Sequence, residues 1–591
     1  MNLLKKAYVY TENYRNNLII SYFAVIFSTI FYLLISQVIR ISIDILSHNI
    51  EAKNGIITSF LRQIINRENF LESLLISSVL IVTLTIIRGV FTFLRSIHSN
   101  VAAEGIAKSL RDKLYGHISK LNYEYHIKAS TGDTIQRCTS DINTVRRFLA
   151  LQSTELFNSI FMFILVVILM FNMNVKMTFI GIVLMPIIVI YSYYFSKKVH
   201  FLFTEVDESE ANLSTALEEN ISGVRVVRAF GMQAYEIEKF DLKNKDLKEK
   251  IFKLINYIGN YWSISSLIAL TQNAVVLIFG AFMVVDGKLT LGTLVAFTLL
   301  VNQMLFPIRQ VGRILGDMSK AKVSIGRIEE ILDEEAENYD EGITDHEFKG
   351  YIEFKNVNFS YDKRPILKNI SFTIKPNEKI AILGTTGSGK STLMYLLTRL
   401  YSNYTGTITL DGIDIKKFNK HYIRKNIGLI LQEPFLFAKT IQENISVARP
   451  DADFKEIELA ADISSVHSGI LEFDKGYETL VGEKGVSLSG GQKQRISIAR
   501  KVLTDAKVII FDDSLSAVDI ETDMNIRNNL KNFKKDATTI LISHRISTLK
   551  EADKILVLEN GEITAMGDHN DLLKISSLYK KINDIQKNQS A

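Results

Sequence analysis

Hydrophobic and polar positions divide the chain into two unlike halves. Up to about residue 318, apolar runs recur, each near the roughly twenty residues that cross the hydrocarbon of a bilayer. They fall near 18–46, 71–100, 155–172, 175–198, 258–285 and 289–318. An even number of crossings returns both ends of this region to one side of the membrane. The third and fourth runs are joined through Asn172-Met173-Asn174 alone, a tight hairpin on the far side. The stretches 101–154 and 199–257 carry helical patterning and dense charge, so they predict helices that project far beyond the bilayer. Their Lys and Arg content places them inside the cell. Residues 1 to 15 read as a short amphipathic helix on the cytoplasmic face.

From Gly350 onward the apolar runs shorten and alternate with helical patterns, which predicts an α/β domain. Strands are predicted at Tyr351–Phe359, Ile370–Ile374, Ile380–Leu383, Val508–Phe511, Thr539–Ile542 and Ile555–Leu558, with Asn560-Gly561 as a hairpin turn. A charged connector containing Asp333-Glu334-Glu335 and Gly342 lies between the halves. The organisation is multi-domain: an all-α six-helix transmembrane domain over 1–325, a linker over 326–346, and an α/β domain over 347–591.

Composition changes this picture little. Hydrophobic residues make up 47% and charged residues 23% of the chain, close to ordinary averages, so only their uneven distribution reveals the membrane. The 69 basic and 64 acidic residues leave a net charge of +5. Membrane-flanking Lys and Arg explain that bias better than nucleic acid does. The single cysteine, Cys138, excludes an internal disulfide and a cysteine-based metal cluster. No cleavable signal peptide is evident. The abundance of Ile, Asn and Lys points to an AT-rich bacterial genome, and so to a bacterial cytoplasmic membrane with the α/β domain in the cytoplasm.

The chemistry centres on Gly384-Thr385-Thr386-Gly387-Ser388-Gly389-Lys390-Ser391-Thr392. This stretch follows a predicted buried strand and opens a predicted helix, the setting that a phosphate-binding loop requires. Its glycines let the backbone curl so that successive N–H groups and a helix N-terminus face phosphates. Lys390 adds a point charge for the outer phosphates, and the Ser391 hydroxyl can ligate magnesium. These residues predict ATP or GTP binding. Downstream, Val508-Ile509-Ile510-Phe511-Asp512-Asp513 is a buried strand that delivers Asp512 to the magnesium shell. Leu488-Ser489-Gly490-Gly491-Gln492, before a helix, is a second anion-binding site, and two such sites for one γ-phosphate suggest sharing across a dimer. His544 follows another apolar strand, as a residue reaching the γ-phosphate would.

With these features in this order, the chain resembles an ATP-binding cassette exporter of the half-transporter type over essentially its whole length. The resemblance implies that Tyr361 stacks on adenine and that Gly384 to Thr392 is the Walker A loop. It also implies that Gln432, in Leu431-Gln432-Glu433-Pro434-Phe435, senses magnesium and touches the membrane domain. Glu483-Lys484-Gly485 then corresponds to the cross-talk loop, Leu488 to Gln492 to the signature, and Asp512 to Walker B. Ser516-Ala517-Val518-Asp519 corresponds to the D-loop and His544 to the switch histidine. Thr131-Gly132-Asp133 with Asp141, and Glu219 to Gly223 through Ala229-Phe230, resemble the intracellular loops whose tips meet the nucleotide domains. ATP and Mg2+ as cofactors, a dimer, and alternating access are implied in the same way.

The pattern departs from the family at one position. The family's general base is a glutamate directly after the Walker B aspartate, and here that residue is Asp513. One methylene less withdraws the carboxylate by roughly 1 Å, a misplacement that can cost about 10²-fold in rate. The chain's own site is therefore expected to bind ATP and hydrolyse it poorly. The intact signature would complete a competent site on a second chain, so a heterodimer is favoured over a homodimer.

Among ionisable residues in the spans, Arg40 and Asp44 are spaced to pair with each other. Arg309 and Arg313 sit at headgroup depth. Arg88, Arg95, Gln272, Asn273, Asn302 and Gln303 are candidates for the substrate cavity, with polar contact between helices as the competing explanation. The expected cargo is an amphipathic, drug-like compound with some tolerance for negative charge. No peptidase domain precedes the first span, which argues against a processing exporter. Lipid or peptide export, import on the same fold, and an ATP-gated membrane regulator are the alternatives.

Overall fold

Inside hydrocarbon, an α-helix is one of the few structures that can satisfy its backbone N–H and C=O groups within a single segment. The computed structural model describes residues 9–47, 56–65, 70–482, 485, 488–514, 518–534 and 536–590. They form two units, Met1–Ser119 with Ala129–Glu334, and Lys120–Lys128 with Glu335–Ala591.

In the first unit, six helices are long and apolar enough to cross a membrane. They run Arg15–Leu46, Phe70–Ile118, Ser153–Met173, Val175–Ile182 continued by Met185–Ser222, Gln233–Val285, and Leu291–Leu332. All six apolar runs lie in helices, and several helices outrun them. The fifth has 53 residues, so at a rise of about 1.5 Å each it spans about 80 Å, more than twice the roughly 30 Å of hydrocarbon. The sixth continues as helix past the predicted boundary near 318. Most of the helix expected over 1–15 lies outside the described residues, and a 3-10 turn at Glu12–Tyr14 precedes the first membrane helix.

The second helix shows which solvent it was built for. Leu71, Leu75, Val79, Val82, Ile86 and Val90 recur three and four apart and are all exposed. In water such a stripe would drive aggregation, whereas lipid tails accept it. One charge within the spans is paired locally. Arg40 lies 3.9 Å from Asp44, as the spacing predicted, and Asp44 Oδ1 accepts the Gly292 N–H at 2.9 Å, tying the first helix to the sixth. Only glycine permits that approach, since a Cβ on residue 292 would lie 2.2 Å from the Arg40 carbonyl oxygen.

The second unit holds two sheets. Their strands are β1 (Ile352–Tyr361), β2 (Arg364–Ile374), β3 (Lys379–Gly384), β4 (Thr405–Leu410), β5 (Ile413–Asp414), β6 (Ile427–Ile430), β7 (Val508–Asp512), β8 (Thr538–Ile542), β9 (Lys554–Glu559) and β10 (Glu562–Gly567). The order β2-β1-β4-β5 makes an antiparallel sheet. The order β10-β9-β3-β8-β7-β6 makes a second sheet, parallel except at β10. β3 and β7 are buried almost end to end, which accounts for their continuous apolar runs. Strands β4 and β6 were not predicted. β10 is the return strand implied by the turn at Asn560-Gly561.

The unit also includes a piece of the first half. The short helix Tyr123–Lys128 belongs to it. The Tyr123 ring sits edge-on to Tyr395 and Tyr401, and Lys128 Nζ lies 3.0 Å from Asp362. The expected contact segment, Thr131-Gly132-Asp133, lies just beyond it in a separate helix of the first unit, capped by Ser130.

Candidate functional site

Strand register builds the site. Ile382 of β3 is opposite Ile542 of β8, and Ile542 is opposite Asp512 of β7. Three adjacent carboxyl ends thus deliver the loop after Leu383, the turn at Ser543-His544, and Asp512-Asp513 to one crevice. Open α/β sheets bind ligands at this kind of edge. Gly389 opens the helix Lys390–Leu397 at φ 103°. A Cβ at this position would lie 2.6 Å from Leu367 Cδ2. Thr385, Thr386 and Gly387 form the exposed bend of the loop, whereas Gly384 and Ser388 are buried.

Inside the crevice, Lys390 Nζ donates to the carbonyls of Gly384 and Thr385 at 2.9 Å each. Ser391 Oγ donates to Asp512 Oδ1 at 3.0 Å. Gln432 Nε2 donates to Asp513 Oδ2 at 3.4 Å, and the Gln432 carbonyl accepts from Gln494 Nε2 at 3.2 Å. Burial pushes the Lys390 ammonium down and the Asp512 and Asp513 carboxyls up. It also pushes His544 down, with Lys390 adding to the effect, so the imidazole is neutral at neutral pH.

Burial thus disfavours the charged forms of Lys390, Asp512 and Asp513. Phosphate oxygens beside Lys390 and a divalent cation beside Asp512 would offset that. The buried Ser388 Oγ has no hydrogen-bond partner among the described residues, which also suits an anionic oxygen. No group of three His, Cys, Asp or Glu among the described residues could hold a metal by itself. Mg2+ is typically held by one or two protein oxygens plus phosphates. Ser391 and Asp512 would hold it with Gln432 nearby, and when bound it neutralises charge on the phosphates.

Tyr361 is half-buried. Its Oη lies 3.2 Å from Thr392 Oγ1, and its ring is edge-on to Phe359 and Tyr401, at 4.9 and 5.1 Å. Tyr401 in turn contacts Tyr395 and Tyr123. The five rings come from stretches far apart in sequence, so no local pattern announces the cluster. Sequence reading also missed Arg545, whose guanidinium donates to the Val518 carbonyl at 3.0 Å.

Leu488 is buried, and Ser489 caps the helix Gly490–Val502 in a reciprocal box with Gln492. A Cβ on Gly490 would meet nothing within 4 Å, and Gly491 follows it in the helix's first turn. No hydrogen bond among the described residues joins this signature to the phosphate loop. Asp519 caps the helix Ile520–Phe533. Ser516 and Ala517 lie outside the described residues, as do Glu483 and Lys484.

The cavity candidates mostly contact neighbouring helices. Gln272 is fully buried, donating to the Ile180 carbonyl at 2.8 Å and accepting from the Leu184 N–H at 3.1 Å. Asn273 Nδ2 bonds Asn302 Oδ1 at 2.7 Å, and Gln303 Nε2 bonds Ser36 Oγ at 2.9 Å. Arg88 lies 3.7 Å above the Tyr32 ring. Of the six candidates, only the Arg95 side chain makes no such contact with a described residue.

Residues 18–308 match the family described as the ABC transporter transmembrane region, and residues 367–516 the family described as ABC transporter. The uncharacterized ABC transporter ATP-binding protein YknU of Bacillus subtilis (strain 168) is 37% identical over 514 residues, covering 85% of this chain and 87% of the relative. The chain belongs to the ATP-binding cassette exporters.

Like other half-transporters of this family, the exporter couples ATP hydrolysis to transport and acts as a dimer in a lipid bilayer. It is a multi-pass membrane protein with a cytoplasmic ATPase domain. Another relative, the ATP-dependent lipid A-core flippase of Syntrophus aciditrophicus (strain SB), is 30% identical over 508 residues, covering 86% of this chain and 84% of the relative. YgaD of Bacillus subtilis (strain 168), assigned provisionally to multidrug export, is 33% identical over 515 residues, covering 86% and 89%. The fold matches that of a bacterial Atm1-family ABC exporter solved with ATP bound. That match has a TM-score of 0.81 at 23% identity and covers 97% of this chain and 99% of the other.

Proposed function

We propose that this exporter moves amphipathic, drug-like compounds out across a bacterial cytoplasmic membrane, as the slow-site half of a heterodimer. Asp513 carries the proposal. Its N–H is bonded to the Ile542 carbonyl at 3.0 Å and its φ is 46°, which supports a backbone held in place behind the shorter side chain. The carboxylate accepts from Gln432 Nε2 at 3.4 Å. A base held about 1 Å short loses reach to an attacking water, and proton transfer falls steeply with such misplacement. The same crevice retains Lys390, Ser391, Asp512 and His544, so ATP binds and stays. The signature, with open space around Gly490, is available to complete the other chain's site.

A cleft in the first unit supports the cargo class. It encloses about 920 Å3, walled by side chains such as Phe163, Met185, Val189 and Ile308, with Lys197 and His200 along the fourth helix. That volume suits a drug-sized amphipath with an acidic end. None of the polar cavity candidates lines it. The flippase relative makes a lipid the second reading of the cargo.

Steady-state ATPase of the two-chain complex tests the asymmetry. Asp513→Asn is expected to lower turnover by less than about twofold. Neutralising the corresponding glutamate of the other chain is expected to cost about 10²-fold, the range for a well-placed base. Equal losses, or a fully active homodimer, would overturn the slow-site reading. Vesicle uptake with a fluorescent drug and with a labelled phospholipid would separate the two cargo classes.

A further inference from the structure

We propose that Gln586, near the C-terminal end of the chain, is a positioning residue for His544. The proposal rests on the reading that His544 meets the γ-phosphate. Gln586 lies on the terminal helix Ser577–Ser590. Its carboxamide grips the backbone on both sides of Arg545: Nε2 donates to the His544 carbonyl at 2.6 Å, and Oε1 accepts the Ile546 N–H at 2.8 Å. Of the twenty side chains, only Asn and Gln carry a carboxamide that donates and accepts from one planar group, and Asn is one methylene shorter. Donor and acceptor spaced this way fix the peptide planes flanking the turn, and with them the direction in which the His544 side chain leaves the strand.

The helix that carries Gln586 is itself anchored. Tyr579 is fully buried, with its Oη 2.7 Å from His569 Nδ1, and Asn583 is 2% exposed. Residues 579, 583 and 586 are four and three apart and share the inward face of the helix. On its other side the turn is tied by Arg545 to the Val518 carbonyl. Within the turn, the Arg545 N–H bonds Ser543 Oγ at 3.1 Å. The histidine backbone is therefore held from outside its own loop, by a side chain more than forty positions away in sequence. The reach of Gln586 gives the terminal helix a role in recognising the third phosphate.

The test measures binding of Mg-ATP and Mg-ADP to this chain's own site in the full-length dimer. Where the two chains differ, the phosphate-loop lysine of the other chain is replaced. His544→Ala is expected to lower the preference for ATP over ADP about tenfold, the size of one lost hydrogen bond to a charged group. Gln586→Ala is expected to lower it several-fold while ADP binding stays within about twofold of wild type. In the His544→Ala background, Gln586→Ala is expected to change nothing further. Gln586→Glu keeps the acceptor for Ile546 but loses the donor to His544, and should fall between wild type and Gln586→Ala.

Wild-type preference in Gln586→Ala would overturn the proposal, as would full additivity with His544→Ala. ADP and ATP binding falling together would assign Gln586 to stability alone, which also overturns it. No effect of His544→Ala would instead defeat the underlying reading of the histidine.

Discussion

Gly384 and Gly490 belong to the two glycine-bearing motifs read as phosphate-binding, yet a side chain at each would meet different surroundings. At Gly384 a Cβ would lie 2.3 Å from the Leu558 carbonyl oxygen and 2.6 Å from Ser388 Oγ, so this glycine is required by the fold. At Gly490 nothing lies within 4 Å, so this chain's own fold does not require glycine there. Gly490→Asp is therefore expected to leave thermal stability within about 0.5 kcal/mol of wild type, since an acidic residue suits the first turn of a helix. It should nonetheless abolish most of the dimer's ATPase by setting an anion against the γ-phosphate. Calorimetry and ATPase on one preparation check both halves, and retained turnover would refute the shared site. At this scale the sequence was legible wherever residue type and spacing carry the chemistry, as in Lys390, Ser391 and Asp512. It was silent where a role depends on distant neighbours. Tyr361 gave no hint of its bond to Thr392, nor Gln586 of its grip on the backbone at His544.

Among the elements, the fourth membrane helix is the instructive one. It breaks between Ile182 and Met185, where Pro186 lacks an N–H and cannot extend the ladder. The Gln272 carboxamide fills the gap by bonding the Ile180 carbonyl and the Leu184 N–H. Gln272→Leu is expected to cost about 1–3 kcal/mol, because both backbone groups would be left buried and unpaired. A lowered unfolding temperature in detergent, with ATP binding unchanged, is the expected result, and an unchanged temperature would deny Gln272 this role. Hydropathy found all six spans because lipid imposes a long apolar run. It could not find where the helices end, since beyond the bilayer their sequence turns polar while the backbone pattern continues. Strands β4 and β6 escaped for other reasons. Thr405–Leu410 opens with Thr-Gly-Thr and is half exposed, and Ile427–Ile430 is only 4 residues long with a glycine inside.

On the scale of the whole molecule, Glu337 gathers three distant stretches of chain. Its carboxylate takes bonds from Arg424 at 2.8 and 3.0 Å, from Lys420 at 3.1 Å and from Tyr339 at 2.5 Å, and its N–H bonds the Lys120 carbonyl at 2.6 Å. Burial pushes this carboxyl up, but the bonds from Arg424, Tyr339 and Lys420 outweigh it and hold the group at about 2, against an ordinary 4.5. The unfolded chain therefore takes up the proton first as acid is added. The stabilisation is complete above about pH 4.5 and is lost as the pH falls toward 2. Glu337→Gln should lower the unfolding temperature near neutral pH, with the gap to wild type closing below pH 4.5. A gap that stays constant through that range would show that the charge of Glu337 is not what stabilises the unit.

The short helix Tyr123–Lys128 has a consequence for how the protein is made. The ribosome releases residues 120–128 before any part of 335–591 has been synthesised, yet both stretches belong to one packed body. An excised cassette of residues 335–591 should therefore lack part of its own core where Tyr123 would lie against Tyr395 and Tyr401. A synthetic peptide of residues 120–128 is expected to raise its melting temperature in proportion to occupancy, and a scrambled peptide should not. In the cell, the cassette's maturation then waits on correct threading of the first two spans. A lesion that misinserts the second span should appear as an ATPase domain degraded by proteases, although the mutated residue lies far from it in the chain.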